Sequence, residues 1–338
     1  MWQITNKTPF PAQLAFCTDP HGVDTAIAVV KATFAMRPNI IALAQPQLPI
    51  VTADAYWADP ATSSIRYASE IGFVKPSTDI VMLGHCWAPG GKPVRKSHVR
   101  LTVGPYSKTV KVFGNRYADT LLGIRTIVGP LPFEKIALKY ENAYGGTDIH
   151  KSNPEIVKND PCNPVGKGFR MRGGSKPVQG SQLPNLQGGN PPEGFGYIAP
   201  AWQPRAKYAG TYDAQWQKNR APRLPEDFSR RFFNCAHPDL ITNGYLKGGQ
   251  SVVIENASPN GILRFALPTL AFKVCFVLNG QKQERPSFLD TLIIEPDENR
   301  FSMIWRASRP CDKAMLQLNT VRITCIYSDI NLEKRSDA

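Results

Sequence analysis

The sequence has no run of five or six like charges, no apolar stretch near the length that spans a bilayer, and only five histidines. The first absence argues against a solvated charged tail, and the second against a transmembrane helix. The histidines, at positions 21, 85, 98, 150 and 237, are few, and most have Pro, Gly or Ser as neighbours. That placement suits surface polarity as well as it suits catalysis. Neither G-x-x-x-x-G-K-[ST] nor G-x-S-x-G occurs, so the phosphate loop and the nucleophile elbow are missing. Gly194-Phe195-Gly196-Tyr197-Ile198-Ala199 matches the dinucleotide fingerprint in letters, but Pro200 follows it and the surroundings read as loop. The fingerprint needs a strand before it and a helix after it, and we reject it here. No repeat of fixed period is present. The opening MWQITNKTPFPAQLAF lacks a basic region followed by an apolar one, so no secretory leader is expected and the expected location is cytoplasmic.

Cysteine is present, but in a pattern that argues against a disulfide framework. Cys17, Cys86, Cys162, Cys235, Cys275, Cys311 and Cys325 are odd in number and widely spread, and Cys275 sits in the apolar run FKVCFVL as a small hydrophobe does. Cys235-Ala236-His237 is the one close Cys/His pair and has no second pair at zinc spacing, while His85 and Cys86 point to opposite faces of a strand. No metal and no cofactor is expected.

What is abundant is turn-forming residues and alternation. At 338 residues the chain can bury a sizeable core, and 30 prolines with 26 glycines favour sheet over helix bundle. Val99, Leu101 and Val103 alternate with Arg100 and Thr102, and Val110 and Val112 flank Lys111, with Gly104-Pro105 between the runs. This reads as a hairpin with one face on a core. The β-branched segment from Thr25 to Met36, bounded by Gly22 and Pro38, predicts a strand. Further strands are expected over 4–16 as a pair interrupted by Pro9 and Pro11, over 79–87, 124–128 and 136–140, and then over 251–255, 262–267, 272–278, 288–294, 300–306 and 315–327. The last ten residues are polar and expected to fray. The fold class is therefore all-β, with β-sandwich-like antiparallel sheets and a few short helices. Three regions follow: an N-terminal β region over 1–149, an intervening arm over 150–235, and a C-terminal β region over 236–330 that is open to being continuous with the first.

The arm differs in texture. Of its 86 residues 11 are Pro and 10 Gly, about a quarter, against 56 of 338 in the whole chain. Disorder does not explain it, because Phe169, Phe195, Tyr197, Trp202, Tyr208, Tyr212, Trp216, Phe228, Phe232 and Phe233 lie within it, and disordered segments are poor in aromatics. It reads as an extended segment pinned across the sheets, with short helices near 214–219 and 226–232.

The formal net charge is +13, from 40 Lys plus Arg against 27 Asp plus Glu. Such a balance attracts acidic surfaces without specifying a fold. The densest basic clusters, Arg230-Arg231 and Lys92 with Arg95-Lys96, are short, and an unpatterned excess does not point to nucleic acid. Carboxylate pairs for acid/base work can be drawn from Asp54, Asp59, Glu70 and Asp79, or from Glu134 and Glu141, but spacing does not say which converge. Gly90-Gly91 and Gly145-Gly146 call for positive φ or close backbone packing, and with no helix following they are poor phosphate cradles.

Several strings in order carry a resemblance: VVKATF at 29–34, ADAYWADPATSSIRYASE at 53–70, KPSTDIVMLGHCWAPGGKPV at 75–94, VRLTVGPYSKTVKVFGNR at 99–116 and YENAYGGTD at 140–148. NPVGKGF at 163–169, Leu183-Pro184-Asn185, the stretch 204–239 and LKGG at 246–249 extend it. Together they resemble the family called domain of unknown function 2169. Asn115 stands where that family more often has Asp, a change that a turn position tolerates, and no Trp follows Tyr117. The resemblance implies a non-catalytic accessory protein of the bacterial type VI secretion system, an adaptor that helps load a toxic effector onto the spike. Its partners would be a secreted effector and a spike or tip protein of the VgrG or PAAR type, with no membrane and no nucleic acid. A partner surface is expected at Trp202, Arg205, Tyr208, Tyr212, Trp216, Arg220, Arg223, Arg230 and Arg231, since Trp, Tyr and Arg dominate binding hot spots. The same aromatics also suit pinning the arm to its own sheets. Two other classes stay open: a carbohydrate-active β-sandwich enzyme with aromatic loops as substrate platforms, and a structural part of the spike.

Overall fold

In a computed structural model, which describes residues 2–19, 21–37, 40–121, 124–172, 174 and 179–330, three sheets share one core. Strands account for 46% of the chain, and Ala214–Asn219 is the one α-helix among the described residues. The all-β class holds. The central sheet has Asp24–Arg37 and Arg300–Pro310 side by side in antiparallel register, Phe34 opposite Phe301. Ala12–Thr18 and Ile40–Leu43 pair with the first of these, while Phe288–Glu295 and then Asp79–Met82 continue from the second. A second, antiparallel sheet orders Leu186–Gln187, Tyr106–Phe113, Lys96–Val103, Ser251–Glu255 and Leu263–Ala266. The third orders Gln3–Asn6, Leu318–Ser328, Leu270–Leu278 and Gln281–Pro286.

Both smaller sheets pack on one face of the central one. Phe265 of the second stacks on Phe301 at 5.0 Å, and Phe272 of the third meets Trp305 edge-on, also at 5.0 Å. Phe301 and Trp305 lie four apart on one strand and so share a face. The alternate residues point the other way, and that face is polar although buried. There Thr33 meets Ser302 at 3.0 Å, and Lys31 Nζ donates to Glu70 Oε1 at 2.6 Å. The Arg306 guanidinium donates to Asp290 and to the Glu70 carbonyl. The segment preceding Asp79 covers this face, and Gln47 completes the sheet by bonding both the N–H and the C=O of Thr33 at 2.8 Å.

The Lys96–Val103 and Tyr106–Phe113 hairpin is as expected, with Val103 opposite Tyr106 and Gly104-Pro105 as a two-residue loop. Gly104 at φ +54 followed by Pro has the pattern of a type II′ turn, whose twist suits a hairpin.

Several expectations need correction. Residues 4–16 do not form a strand pair, because Gln3–Asn6 and Ala12–Thr18 enter different sheets. The segment 79–87 is two strands, broken at Leu83-Gly84, with His85–Trp87 pairing instead with Lys135–Ala137. The expected strand over 136–140 ends early, and Tyr140 begins a 3-10 turn. Not every pairing is antiparallel: Gln3–Asn6 with Leu318–Ser328, Phe288–Glu295 with Asp79–Met82, and Tyr144–Gly145 with Lys167–Gly168 run parallel. Gln281–Pro286, too polar to show alternation, is an unexpected edge strand hinged on Asn279-Gly280. The arm also starts differently, as Thr147–His150 and Asn153–Asn159 form an exposed hairpin. The expected boundary at Pro38 and most of the expected frayed tail lie outside the described residues.

Candidate protein-binding surface on the arm

Aromatic residues fix the arm before they offer anything to a partner. Phe195, Tyr197 and Ile198, within the rejected dinucleotide match, are buried. The Tyr140 hydroxyl donates to the Gly196 carbonyl at 3.0 Å, and the Tyr140 ring meets Trp202 edge-on at 5.6 Å. Gly194 is required there, since a Cβ would stand 2.7 Å from the Tyr140 ring. Farther along, Phe228, Phe232 and Phe233 cluster, and Phe233 reaches Phe73 at 5.2 Å.

Between these anchors the chain is tied by polar contacts. Asp213 caps the Ala214–Asn219 helix by accepting from the Trp216 N–H at 2.8 Å. Asp227 accepts from the Thr211 N–H and hydroxyl, which holds its carboxyl below the usual range. The Trp216 indole donates to the Arg223 carbonyl at 2.8 Å, and its ring meets exposed Tyr212 at 4.7 Å.

A pocket of about 420 Å³ opens beside this frame. Arg205, Lys207, Tyr208 and Arg231 line it together with Asn234, Thr242 and backbone near Pro76 and Gly244, and no carboxylate is among its lining residues. Arg205 is held rigidly: Nε donates to the Phe232 carbonyl and Nη1 to the Ile198 carbonyl, both at 2.9 Å. Tyr208 lies between two cations, with Lys207 Nζ 5.0 Å and the Arg231 guanidinium 6.0 Å from its ring centroid. The floor is anchored in turn, as Asn234 Nδ2 donates to buried Asp79 at 2.8 Å.

The nine residues expected at a partner surface are thus divided. Arg205, Tyr208 and Arg231 come together at the pocket. Tyr212, Trp216, Arg220 and Arg223 form a neighbouring knot around the helix, where Arg220 Nη1 meets Glu226 at 3.2 Å. Arg230 lies apart and donates to the Val74 carbonyl at 3.4 Å. Trp202, 7% exposed, faces Tyr140 in the interior. Lys207 joins the pocket although sequence reasoning passed over it, and its position directly before Tyr208 was the available signal.

The Cys235/His237 pair does not converge. The Cys235 thiol, pushed up to about 11 by burial, donates to Asp79 at 3.3 Å. His237 Nδ1 instead accepts from the Asp239 N–H at 3.1 Å, and its Nε2 lies 3.0 Å from the Asn190 carbonyl and 3.1 Å from Lys108 Nζ. Lys108 is also 3.9 Å from Glu193 and 3.6 Å from Asp239. Burial outweighs these long attractions, lowering the Lys108 pKa and raising that of Glu193. The alternation of its strand gave no hint of Lys108, a lysine at a core-facing position. Among the described residues, no three His, Cys, Asp or Glu side chains gather as a metal site. Of the carboxylates considered for acid/base work, Glu70 and Asp79 hold Lys31 and Lys75, Glu141 accepts from Ser64, Asp54 accepts from the Ser69 N–H, and Asp59 caps a turn at Ala61.

A family model described as an uncharacterized protein conserved in bacteria (DUF2169) matches residues 21–306. The chain belongs to that family. The DUF2169 match takes in the whole arm and its pocket, and leaves out Gln3–Asn6 and Leu318–Ser328, the adjacent parallel pair of the third sheet, together with Ala12–Thr18 of the central sheet. No curated protein and no solved structure matches the chain. No helix among the described residues is long and apolar enough to cross a membrane.

Proposed function

We propose that this DUF2169 chain is a non-catalytic, cytoplasmic adaptor of a type VI secretion system, which holds a secreted effector and helps load it onto a spike or tip protein. The observation that carries the protein-binding part of this reading is the arm pocket, where three cations and Tyr208 line one cavity with no carboxylate among the lining residues. A surface of that charge speeds encounter with an acidic partner and disfavours basic ones. The fixed Arg205 supports the reading as well, because a cation already oriented by two carbonyls loses less entropy on binding. Loading onto the spike rests on the sequence resemblance alone.

The experiment is a pull-down of the tagged chain from host cells that make effector and spike, at low and at moderate salt. Co-recovery of a secreted toxin and a spike or tip protein, reduced by Arg231→Glu with the fold intact, is the expected result. Recovery of neither from cells shown to contain both would refute the adaptor role.

A further inference from the structure

A cleft of about 760 Å³, sharing no lining residue with the arm pocket, runs between the third sheet and the central sheet. Its base is apolar: Leu246, Leu270, Phe272, Leu289 and Trp305 are all buried, and Tyr245 stacks on Phe288 at 4.6 Å along one side. Ile326, 63% exposed, stands at the mouth. Such a lining suits a large apolar or aromatic side chain.

The polar groups around the cleft are unbalanced. Lys273 and Glu284 neutralise each other at 2.7 Å, which leaves Lys247 and Arg285 with no ion-pair partner among the described residues. Arg285 Nε has no hydrogen-bond partner among the described residues either, so the guanidinium brings an unpaired charge to the cleft wall. The neighbouring strand, Gln281–Pro286, is at the sheet edge, but Lys282, Glu284, Arg285 and the terminal Pro286 guard it against strand addition. An occupant therefore enters with its side chains and not by extending the sheet.

We propose that this cleft docks a short acidic segment of a partner protein, with an aromatic or large aliphatic side chain set against Phe272 and Trp305 and a carboxylate against Arg285 and Lys247. The proposal rests on the lining and rim of the cleft and is independent of what the arm holds.

The test uses the full chain with labelled Ile and Leu methyl groups, titrated in an NMR experiment with two pools of short peptides. Both pools carry one Trp, Phe or Leu, flanked by Asp and Glu in one and by Lys and Arg in the other. The expected result is methyl shifts at Leu246, Leu270, Leu289 and Ile326, with the acidic pool binding about tenfold tighter or more, the scale of one favourable charge contact. Arg285→Glu should erase or reverse that preference, and Lys247→Glu serves if the first variant does not fold. Lys282→Glu, outside the lining, should leave the preference unchanged. The proposal is overturned if the acidic pool moves none of these methyls at millimolar concentration, or if both pools bind alike. It is equally overturned if a second copy of the chain already fills the cleft, seen as concentration-dependent shifts without peptide.

Discussion

Lys75 Nζ lies 2.6 Å from Asp79 Oδ2 with 7% and 0% of the two side chains exposed, and Asp79 also accepts from the Cys235 N–H at 2.8 Å. Burial opposes both charges, yet together they overcome it, so the Lys75 pKa is raised and that of Asp79 lowered. Asp79 thereby ties a strand of the central sheet to the end of the arm. Asp79→Ala strands a buried ammonium and frees the Cys235 amide, and should cost about 3–5 kcal/mol. A Lys75→Met, Asp79→Leu double variant should lose less than the sum of the single changes. Denaturant melts of the unchanged chain, Asp79→Ala, Lys75→Met, Asp79→Leu and the double variant check both statements, and a negligible loss in Asp79→Ala or additive losses in the double variant would contradict them.

Gly145 and Gly90 both have positive φ, +147° and +65°, but only the first is crowded: an added Cβ would stand 2.1 Å from the Asn163 carbonyl oxygen, whereas nothing lies within 4 Å at Gly90. Gly90→Ala therefore carries only the backbone cost of about 1 kcal/mol, while Gly145→Ala adds displacement of the 160–168 loop and should exceed it by about 2 kcal/mol or more. Thermal melts of the two variants would show the order, and the reverse order would sink the account of the YGG motif.

The buried imidazole of His237 sets a pH dependence. Burial, and then the Lys108 ammonium, push its pKa from 6.5 down to about 4. The unfolded chain therefore binds a proton that the folded one refuses between those values. Its contribution is fully present above about pH 6.5 and fades as pH falls toward 4, by about 1–3 kcal/mol. In His237→Gln, stability between pH 7 and pH 4.5 should fall less steeply than in the unchanged chain, as followed by urea titration at each pH.

Trp202 and Arg231 were grouped by residue type, but their surroundings separate them. Trp202→Ala removes a buried ring from beside Tyr140 and should cost about 3–5 kcal/mol. Arg231→Ala touches only an exposed ring contact and should change stability by about 0.5 kcal/mol or less. Any loss of partner binding in Arg231→Ala therefore reads directly on the surface. A binding assay beside a melt for each variant separates the two roles.

The hairpin at 96–113 and the strand over 24–37 were legible because local alternation and turn chemistry decide them. Ala214–Asn219 was legible as a helix between turn signals, whereas the helix expected near 226–232 is only a 3-10 turn at Arg230–Phe233. Partnership was not legible: nothing near Ala12 or Gln3 says that one joins the central sheet and the other lies parallel to Leu318–Ser328. The polar face under residues 44–78 was hidden for a related reason. Lys31 and Thr33 read as the solvent side of a strand, and only Glu70, Gln47 and Ser302, brought from far along the chain, make their burial tolerable. The basic pocket was half legible, since Arg205, Tyr208 and Arg231 were singled out by type while the fold alone reveals that they converge.

The pairing of Asp24–Arg37 with Arg300–Pro310 also governs how the protein is made. The strand Asp24–Arg37 leaves the ribosome long before Arg300–Pro310, its main partner. During most of synthesis Ala26, Val29, Val30 and Phe34 have no finished sheet to enter, and the long loop must close before these contacts reward it. A chain cut short before residue 300 therefore leaves the apolar face of Asp24–Arg37 without its main partner.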